Sequence, residues 1–155
     1  MPSVEKPIVL LVDDNEATCT LIAAVLHRDF AIDVASDGNE AMEKLRTGRY
    51  AAILLDLRMP QPDGFAVLEF LRQHAPAQLR SVLVVTASLQ PAEVARAKGY
   101  GVCGIIRKPF DVDLLLEAVK DCVSGNGDGN ALGNVIASSG SVILLIAGLL
   151  RQRLM

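Results

Sequence analysis

Short apolar runs alternate along this chain with longer segments in which apolar residues recur every three or four positions. The runs that predict β-strands span residues 8–12, 30–35, 51–55, 82–85 and 103–106. The segments between them have the period of amphipathic helices. Strands that alternate with helices of this size predict βα units and a parallel sheet. We therefore expect residues 7–123 to form a doubly wound α/β domain around a five-stranded parallel sheet.

Five helices are predicted, one after each strand. The first begins after Asp14 or Asn15, either of which can cap it, and presents a stripe of Leu21, Ile22, Val25 and Leu26. The other four predicted helices span residues 39–45, 65–71, 91–98 and 111–123.

The pattern changes after residue 123. Residues 124–130 have the Gly and Asn content of a flexible linker, and an apolar tail follows at 131–155. The stretch 129–150 carries no charge and is followed by Arg151 and Arg153. We expect residues 131–150 to form a helix that mediates self-association or docks on another protein surface. A membrane anchor and a disordered or artificially added tail are the alternatives.

Composition narrows the classes of function. The net charge is −3, Trp is absent and no Lys/Arg cluster exceeds two adjacent residues, which speaks against nucleic-acid binding. The three cysteines are scattered, without a CxxC pair, and are predicted to be reduced and mostly buried thiols. The first residues lack the pattern of a signal peptide. We expect a cytoplasmic protein, with membrane contact only through the tail.

Polar side chains follow four of the five predicted strands. Asp13 and Asp14 end the first strand, Asp56 the third and Thr86 the fourth, and Lys108 comes shortly after the fifth. In a parallel sheet these strand ends lie on one edge, which is where doubly wound proteins bind ligands. Three carboxylates, a hydroxyl and an ammonium are suited to binding a divalent cation and a phosphoryl group.

The three carboxylates would repel one another at short range, so at least one would be protonated unless a cation were present. Mg²⁺ meets that need, because it prefers oxygen ligands and is commonly held by one or two carboxylates together with phosphate. Asp56 is then the candidate nucleophile, since an aspartate can form an acyl phosphate beside a metal ion. Lys108 and Thr86 would each contact a phosphoryl oxygen.

These motifs resemble those of a known family. The matching stretches are Val12-Asp13-Asp14, Asp56 with Met59-Pro60 and Asp63-Gly64, Thr86-Ala87, and Lys108-Pro109-Phe110. Over residues 7–123 the chain resembles the receiver domain of two-component response regulators, and it is similar to single-domain CheY-like regulators. The resemblance implies a flavodoxin-like fold.

The resemblance also implies roles for individual residues. Asp56 would accept a phosphoryl group from a histidine kinase or a histidine phosphotransfer protein. Asp13, Asp14, Asp56 and the backbone carbonyl of Arg58 would hold Mg²⁺. Thr86 and Lys108 would bind the new phosphoryl group, and the implied switch positions are Ala87, Ile105 and Pro109. The Lys108-Pro109 bond would be cis.

One position departs from the family pattern. The residue three before the lysine is usually Tyr or Phe, whose ring moves when the threonine engages phosphate, but here it is Ile105. Arg58 and Ser88 stand at two variable positions that, in this family, modulate the lifetime of the phosphate.

The sequence thus predicts a phosphorylation-dependent switch that binds a downstream protein, with at most slow self-dephosphorylation and no turnover of substrate. Two alternatives are a phosphorylation-independent scaffold and a fragment of a larger regulator or hybrid kinase. A phosphatase that uses an aspartate nucleophile is disfavoured, because Asp13-Asp14 is not the D-x-D pattern that such enzymes require.

Overall fold

The computed structural model of the protein describes residues 5–87 and 90–125 and the backbone of Val135–Ile136. All five predicted strands form within a residue or two of their expected bounds. They are β1 (Ile8–Val12), β2 (Ala31–Ala35), β3 (Ala52–Leu55), β4 (Val82–Thr86) and β5 (Gly104–Arg107).

The five predicted helices also form. They are α1 (Glu16–Leu26), α2 (Gly38–Thr47), α3 (Gly64–His74), α4 (Pro91–Gly99) and α5 (Val112–Val123), and a 3₁₀ helix at Pro76–Ser81 precedes β4. Four of the helices begin after an Asn or Asp whose side chain accepts a hydrogen bond from a backbone N–H in the first turn. These caps are Asn15, Asp37, Asp63 and Asp111.

The five strands pair in parallel in the order β2-β1-β3-β4-β5. This is the flavodoxin-like order, with its topological switch point between β1 and β3. Val12 pairs with Leu55 across that point, so the residues that follow them, Asp13 and Asp56, emerge side by side. The backbone N–H of Asp56 donates to the Val12 carbonyl at 3.0 Å, which extends the pairing to the edge of the sheet.

Alternate strand residues face opposite sides of the sheet and build two apolar layers. Leu10 and Ile53 belong to the layer covered by α2, α3 and α4, whereas Leu11 and Leu54 belong to the layer covered by α1 and α5. All four are at most 2% exposed. Because the central strands are covered on both faces, they are continuous apolar runs, as expected for a parallel sheet.

The predicted stripe of α1 is wrong at one position. Ile22 and Leu26 are buried and Val25 is partly buried, but Leu21 is 49% exposed. Cys19 is buried instead. Residues 19, 22 and 26 follow the helical period along one line, and Leu21 lies to the side of that line.

The prediction of three reduced thiols is also wrong. Cys103 and Cys122 form a disulfide, with their Cα atoms 6.0 Å apart, whereas Cys19 is free and buried. Cys103 immediately precedes β5, and Cys122 lies in the last turn of α5. Both face the same apolar layer, because α5 packs back along the strand that it follows. Separation by 19 residues hides this proximity in the sequence.

Two residues of the C-terminal segment differ from the prediction. Val135–Ile136 form a short sixth strand that pairs in parallel with Ile105 and Ile106 of β5, where a helix is expected. A strand at this place hydrogen-bonds to the backbone of β5, which would otherwise be the edge of the sheet. The other residues of the predicted tail, and the linker beyond residue 125, lie outside the described residues. In the described ranges no helix has the length and apolar character needed to cross a membrane.

Candidate functional site

Asp56 stands directly after β3 at the carboxyl edge of the sheet and is 5% exposed. Its carboxylate accepts two hydrogen bonds from the residues that the structure describes. Oδ1 accepts the backbone N–H of Arg58 at 3.0 Å, and Oδ2 accepts the Lys108 ammonium at 3.2 Å. The side chain is therefore fixed by the loop that follows β3 and by the loop that follows β5.

Asp13 occupies the equivalent place after β1 and is 3% exposed. Its Oδ1 accepts the backbone N–H of Asn15 at 2.9 Å, and its Oδ2 accepts Lys108 at 2.6 Å. Asp14 is exposed. Each of Asp13, Asp14 and Asp56 offers one carboxylate oxygen such that all three atoms lie within 4.8 Å of one another.

Three carboxylates at this spacing face one ammonium. Burial raises the pKa of Asp56, and the charge of Asp13 adds to that effect. The Arg58 N–H and the Lys108 charge oppose it without reversing it. The donor set of carboxylate oxygens fits a hard divalent cation, because such an ion would supply the positive charge that Lys108 alone does not.

Lys108 joins the two buried carboxylates. Burial disfavours its charged form, but the hydrogen bond to Asp13 and the charges of Asp56 and Asp13 outweigh burial, so the pKa of Lys108 is raised. Its backbone N–H donates to the Thr86 carbonyl at 2.9 Å, which continues the pairing of β4 with β5. The Lys108-Pro109 peptide bond is cis, as the resemblance implied.

Thr86, the last residue of β4, is fully buried, and its hydroxyl has no hydrogen-bond partner among the described residues. A buried hydroxyl without a partner is unfavourable, and such groups frequently lie at functional sites. The next residue, Ala87, is exposed, and Ser88 lies outside the described residues. Ile105 is fully buried in β5, where it pairs with Val84.

Sequence reasoning gave no role to Gly64 and missed Glu93, and both residues shape the site. A Cβ atom on Gly64 would lie 2.4 Å from the Asp56 carbonyl oxygen, so only glycine lets α3 begin this close to the phosphoacceptor candidate. Glu93, in the first turn of α4, binds the Arg58 guanidinium at 2.6 Å. In the sequence, the Asp63-Gly64 pair indicates that Gly64 matters. No sequence feature indicates the Arg58–Glu93 ion pair, because the two charges are 35 residues apart.

The predicted site residues thus converge as expected from the strand ends. Asp13, Asp56 and Lys108 are in direct contact, and Asp14 completes the acidic cluster. Thr86 ends β4, and its backbone carbonyl accepts a hydrogen bond from the backbone N–H of Lys108.

Comparison with known proteins agrees with this geometry. The response regulator receiver domain family model matches residues 9–120. The chain is 29% identical over 113 residues to response regulator ArlR of Staphylococcus saprophyticus, covering 72% of this chain and 50% of ArlR. It is also 28% identical over 120 residues to the signal transduction histidine-protein kinase BarA of Escherichia coli, covering 77% of this chain and 13% of BarA.

A solved structure is similar as well. The receiver domain of the Francisella response regulator 1452 superposes with a TM-score of 0.69 at 26% identity, over 78% of this chain and 99% of that one. The chain spans about half the length of ArlR and a smaller part of BarA. The shared region is the doubly wound domain that carries the acidic cluster.

Proposed function

The chain belongs to the response regulator receiver domain family, and from this premise we propose that Asp56 accepts a phosphoryl group and thereby switches the binding of a partner protein. The observation that carries the proposal is the buried Asp56 carboxylate, held by Lys108 beside the second buried carboxylate of Asp13. A carboxylate that served only as a helix cap or a surface charge would not need this environment.

The proposed phosphodonor is the phosphohistidine of a histidine kinase or of a histidine phosphotransfer protein. An Asp56 carboxylate oxygen forms the new bond to phosphorus, while the bond from phosphorus to the donor imidazole nitrogen breaks. That nitrogen keeps the bonding electron pair and takes a proton from solvent. The hydrogen bonds to Asp56 from Arg58 and Lys108 hold the carboxylate in place during transfer.

Asp13, Asp14, Asp56 and the backbone carbonyl of Arg58 are the proposed ligands of a bound Mg²⁺, which would neutralise the acidic cluster and the charge on the phosphoryl oxygens. The close approach of the three carboxylate oxygens supports this assignment. Asn15 supports it further, because its backbone N–H orients the Asp13 carboxylate.

Thr86 and Lys108 are proposed to bind the phosphoryl group once it is on Asp56. The Thr86 hydroxyl is buried without a partner and would gain an acceptor in a phosphoryl oxygen. Lys108 already donates to Asp56 and would remain close to the added charge. Because Ile105 has no ring to move, the response is proposed to pass through Thr86 and the Ala87 loop toward α4, with Pro109 fixing the lysine loop.

The cellular setting is part of the proposal. We infer a cytoplasmic protein whose output, as proposed above, is contact with another protein. The similarity to a part of BarA also favours a receiver that belongs to a larger signalling protein. A phosphorylation-independent scaffold is less favoured, because the acidic cluster and Lys108 are in mutual contact.

The test is phosphorylation by a small donor. Incubation with acetyl phosphate and Mg²⁺ should add one base-labile phosphoryl group to the protein, and chelation of the metal should suppress it. Asp56→Asn should abolish labelling. Thr86→Ala should still be labelled but should lose the effect of phosphate on partner binding. Undiminished labelling of Asp56→Asn would refute the assignment of Asp56.

A further inference from the structure

Arg58 is in contact with the proposed phosphoacceptor and with α4 at the same time. Its backbone N–H donates to Asp56 Oδ1 at 3.0 Å. Its guanidinium donates to Glu93 Oε1 at 2.6 Å, and Glu93 lies in the first turn of α4. A change at the Asp56 carboxylate therefore acts on a residue whose side chain holds a different helix.

The attachment of α4 depends on directional contacts more than on apolar burial. Ala97 is the one residue of α4 that is buried, whereas six residues of α3 are buried. Besides the pair with Arg58, Arg96 of α4 stacks on the ring of Phe65 with 4.1 Å between its guanidinium carbon and the ring centre. Tyr100, at the end of α4, donates to Glu69 of α3 at 2.9 Å.

Glu93 depends strongly on its partner. Its side chain is 24% exposed, yet the Oε2 atom is buried and has no hydrogen-bond partner among the described residues. With Oε2 enclosed by protein, the Arg58 guanidinium offsets part of the charge on this carboxylate. The position of α4 is therefore sensitive to where the Arg58 guanidinium lies.

We propose that Arg58 and Glu93 are a positioning pair that transmits the phosphorylation state of Asp56 to α4. The inference rests on the proposed function. Phosphorylation converts the Asp56 carboxylate, an ionic hydrogen-bond acceptor, into a mixed anhydride and places a phosphoryl dianion next to Arg58. Both changes alter the groups that the backbone N–H and the guanidinium of Arg58 contact. The positive charge of Arg58 then balances the negative charge of Glu93 less completely.

Coupling of this kind is reciprocal. If phosphorylation weakens the Arg58–Glu93 contact, then removing the contact must shift the phosphorylation equilibrium of Asp56 by the same factor. Ile105 favours such a route beside the one through Thr86, because the Tyr or Phe usual at this position in the family is absent and the isoleucine is fully buried.

The test compares amide hydrogen exchange of residues 91–99 in the unmodified and the phosphorylated protein. In the wild type, phosphorylation should change the protection of this helix by about fivefold or more, a typical size for coupling between sites. In Glu93→Gln, which keeps the shape of the side chain but not its charge, that difference should largely vanish. Arg58→Ala should behave in the same way, and the double variant should add nothing further.

Glu69→Gln is the matched control. It weakens the Tyr100 contact at the other end of the same helix, so it should raise exchange in both states yet leave the phosphate-dependent difference intact. The charge-reversed pair Arg58→Glu with Glu93→Arg should restore part of that difference. Retention of the full difference in Glu93→Gln, or its loss in Glu69→Gln as well, would overturn the inference.

The two proposals fail in different ways. A wild-type protein that takes no phosphoryl group at Asp56 would refute the proposed function, and the inference about α4 with it. A wild-type protein that is labelled at Asp56 but shows no change of protection in residues 91–99 would refute only the positioning role of Arg58 and Glu93.

Discussion

Two lysine–aspartate pairs in this protein have the same short distance but different surroundings. Lys108 and Asp13 are 2.6 Å apart at the carboxyl edge of the sheet, and Lys44 and Asp33 are 2.6 Å apart between α2 and β2. Distance alone would place them in one class. The groups around the two pairs differ, and negative charge is in excess only around the first.

At Asp33 the polar groups satisfy one another. One carboxylate oxygen accepts Lys44, and the other accepts the hydroxyl of Tyr50 at 2.8 Å. Burial alone would raise the pKa of Asp33, but the hydrogen bonds from Lys44 and Tyr50 lower it below its usual value. One ammonium, one carboxylate and one phenol form a cluster that needs no further ligand.

At the sheet edge the groups do not satisfy one another. Lys108 is shared between Asp13 and Asp56, Asp14 adds a third carboxylate, and the Thr86 hydroxyl has no partner among the described residues. The pKa of Asp56 is raised, in contrast to that of Asp33. An excess of negative charge together with an unused donor distinguishes a binding site from a structural ion pair.

The largest expected effect is on phosphorylation. Asp13→Asn should reduce the Mg²⁺-dependent rate of labelling by acetyl phosphate by about 100-fold or more, since a metal-dependent step loses a ligand. Asp33→Asn should leave the rate within about twofold, because Asp33 is remote from the transfer. The measurement is the initial rate of phosphoryl incorporation at a fixed Mg²⁺ concentration. Equal losses in the two variants would show that the two pairs do not differ in kind.

The second-largest expected effect is on metal binding, which should depend on Asp13 at the sheet edge and not on Asp33. Mg²⁺ at 100 times its dissociation constant should stabilise the wild type by about 2.7 kcal/mol in denaturant unfolding. Asp33→Asn should show the same gain, and Asp13→Asn should show little or none. A gain in Asp13→Asn as large as in the wild type would mean that the cation binds elsewhere.

Without metal, neutral substitutions in the two regions should have opposite signs. Asp56→Asn should stabilise the metal-free protein at pH 7, because it removes a buried charge whose pKa is raised. Asp33→Asn should destabilise it by roughly 1 kcal/mol, because it weakens hydrogen bonds from Lys44 and Tyr50. Unfolding by urea in the presence of a chelator gives both values. Destabilisation by both variants would contradict the proposal that negative charge is in excess around Asp56 and balanced around Asp33.

The smallest effect concerns Tyr50. Burial and the hydrogen bond to Asp33 raise its pKa to about 12 from 10.0 in the unfolded chain, so the protonated phenol is favoured in the folded state. Its contribution is complete below about pH 10 and is lost as the pH rises toward about 12. Tyr50→Phe should cost about 1 kcal/mol at pH 8, and the difference from wild type should shrink by pH 11. A constant difference across this range would refute the assignment.

Much of this fold follows from local patterns. The continuous apolar runs of β1, β3 and β4 are buried on both faces, and Asn15, Asp37, Asp63 and Asp111 cap the helices that follow loops. The convergence of Asp13, Asp56 and Lys108 follows from the parallel arrangement of the strands, because each side chain stands at a carboxyl end.

What could not be predicted depends on contacts distant in the sequence. The Cys103–Cys122 disulfide and the Arg58–Glu93 pair each join elements whose relative angle is set only by packing. Leu21 was placed in the wrong stripe because a run of apolar residues on α1 allows more than one buried line. The strand at Val135–Ile136 pairs with β5 through its backbone, which an apolar pattern does not reveal.

The most direct test of the central claim is to locate the phosphoryl group. Borohydride reduces an acyl phosphate to an alcohol, so a phosphorylated aspartate becomes homoserine. Tryptic peptide 50–58 contains Asp56 as its one acidic residue, and Asp13 and Asp14 lie in a different peptide. After treatment with acetyl phosphate, Mg²⁺ and borohydride, mass spectrometry should find homoserine in place of Asp56 and unchanged aspartate at positions 13 and 14. Homoserine at position 13 or 14, or at none of the three, would contradict the account.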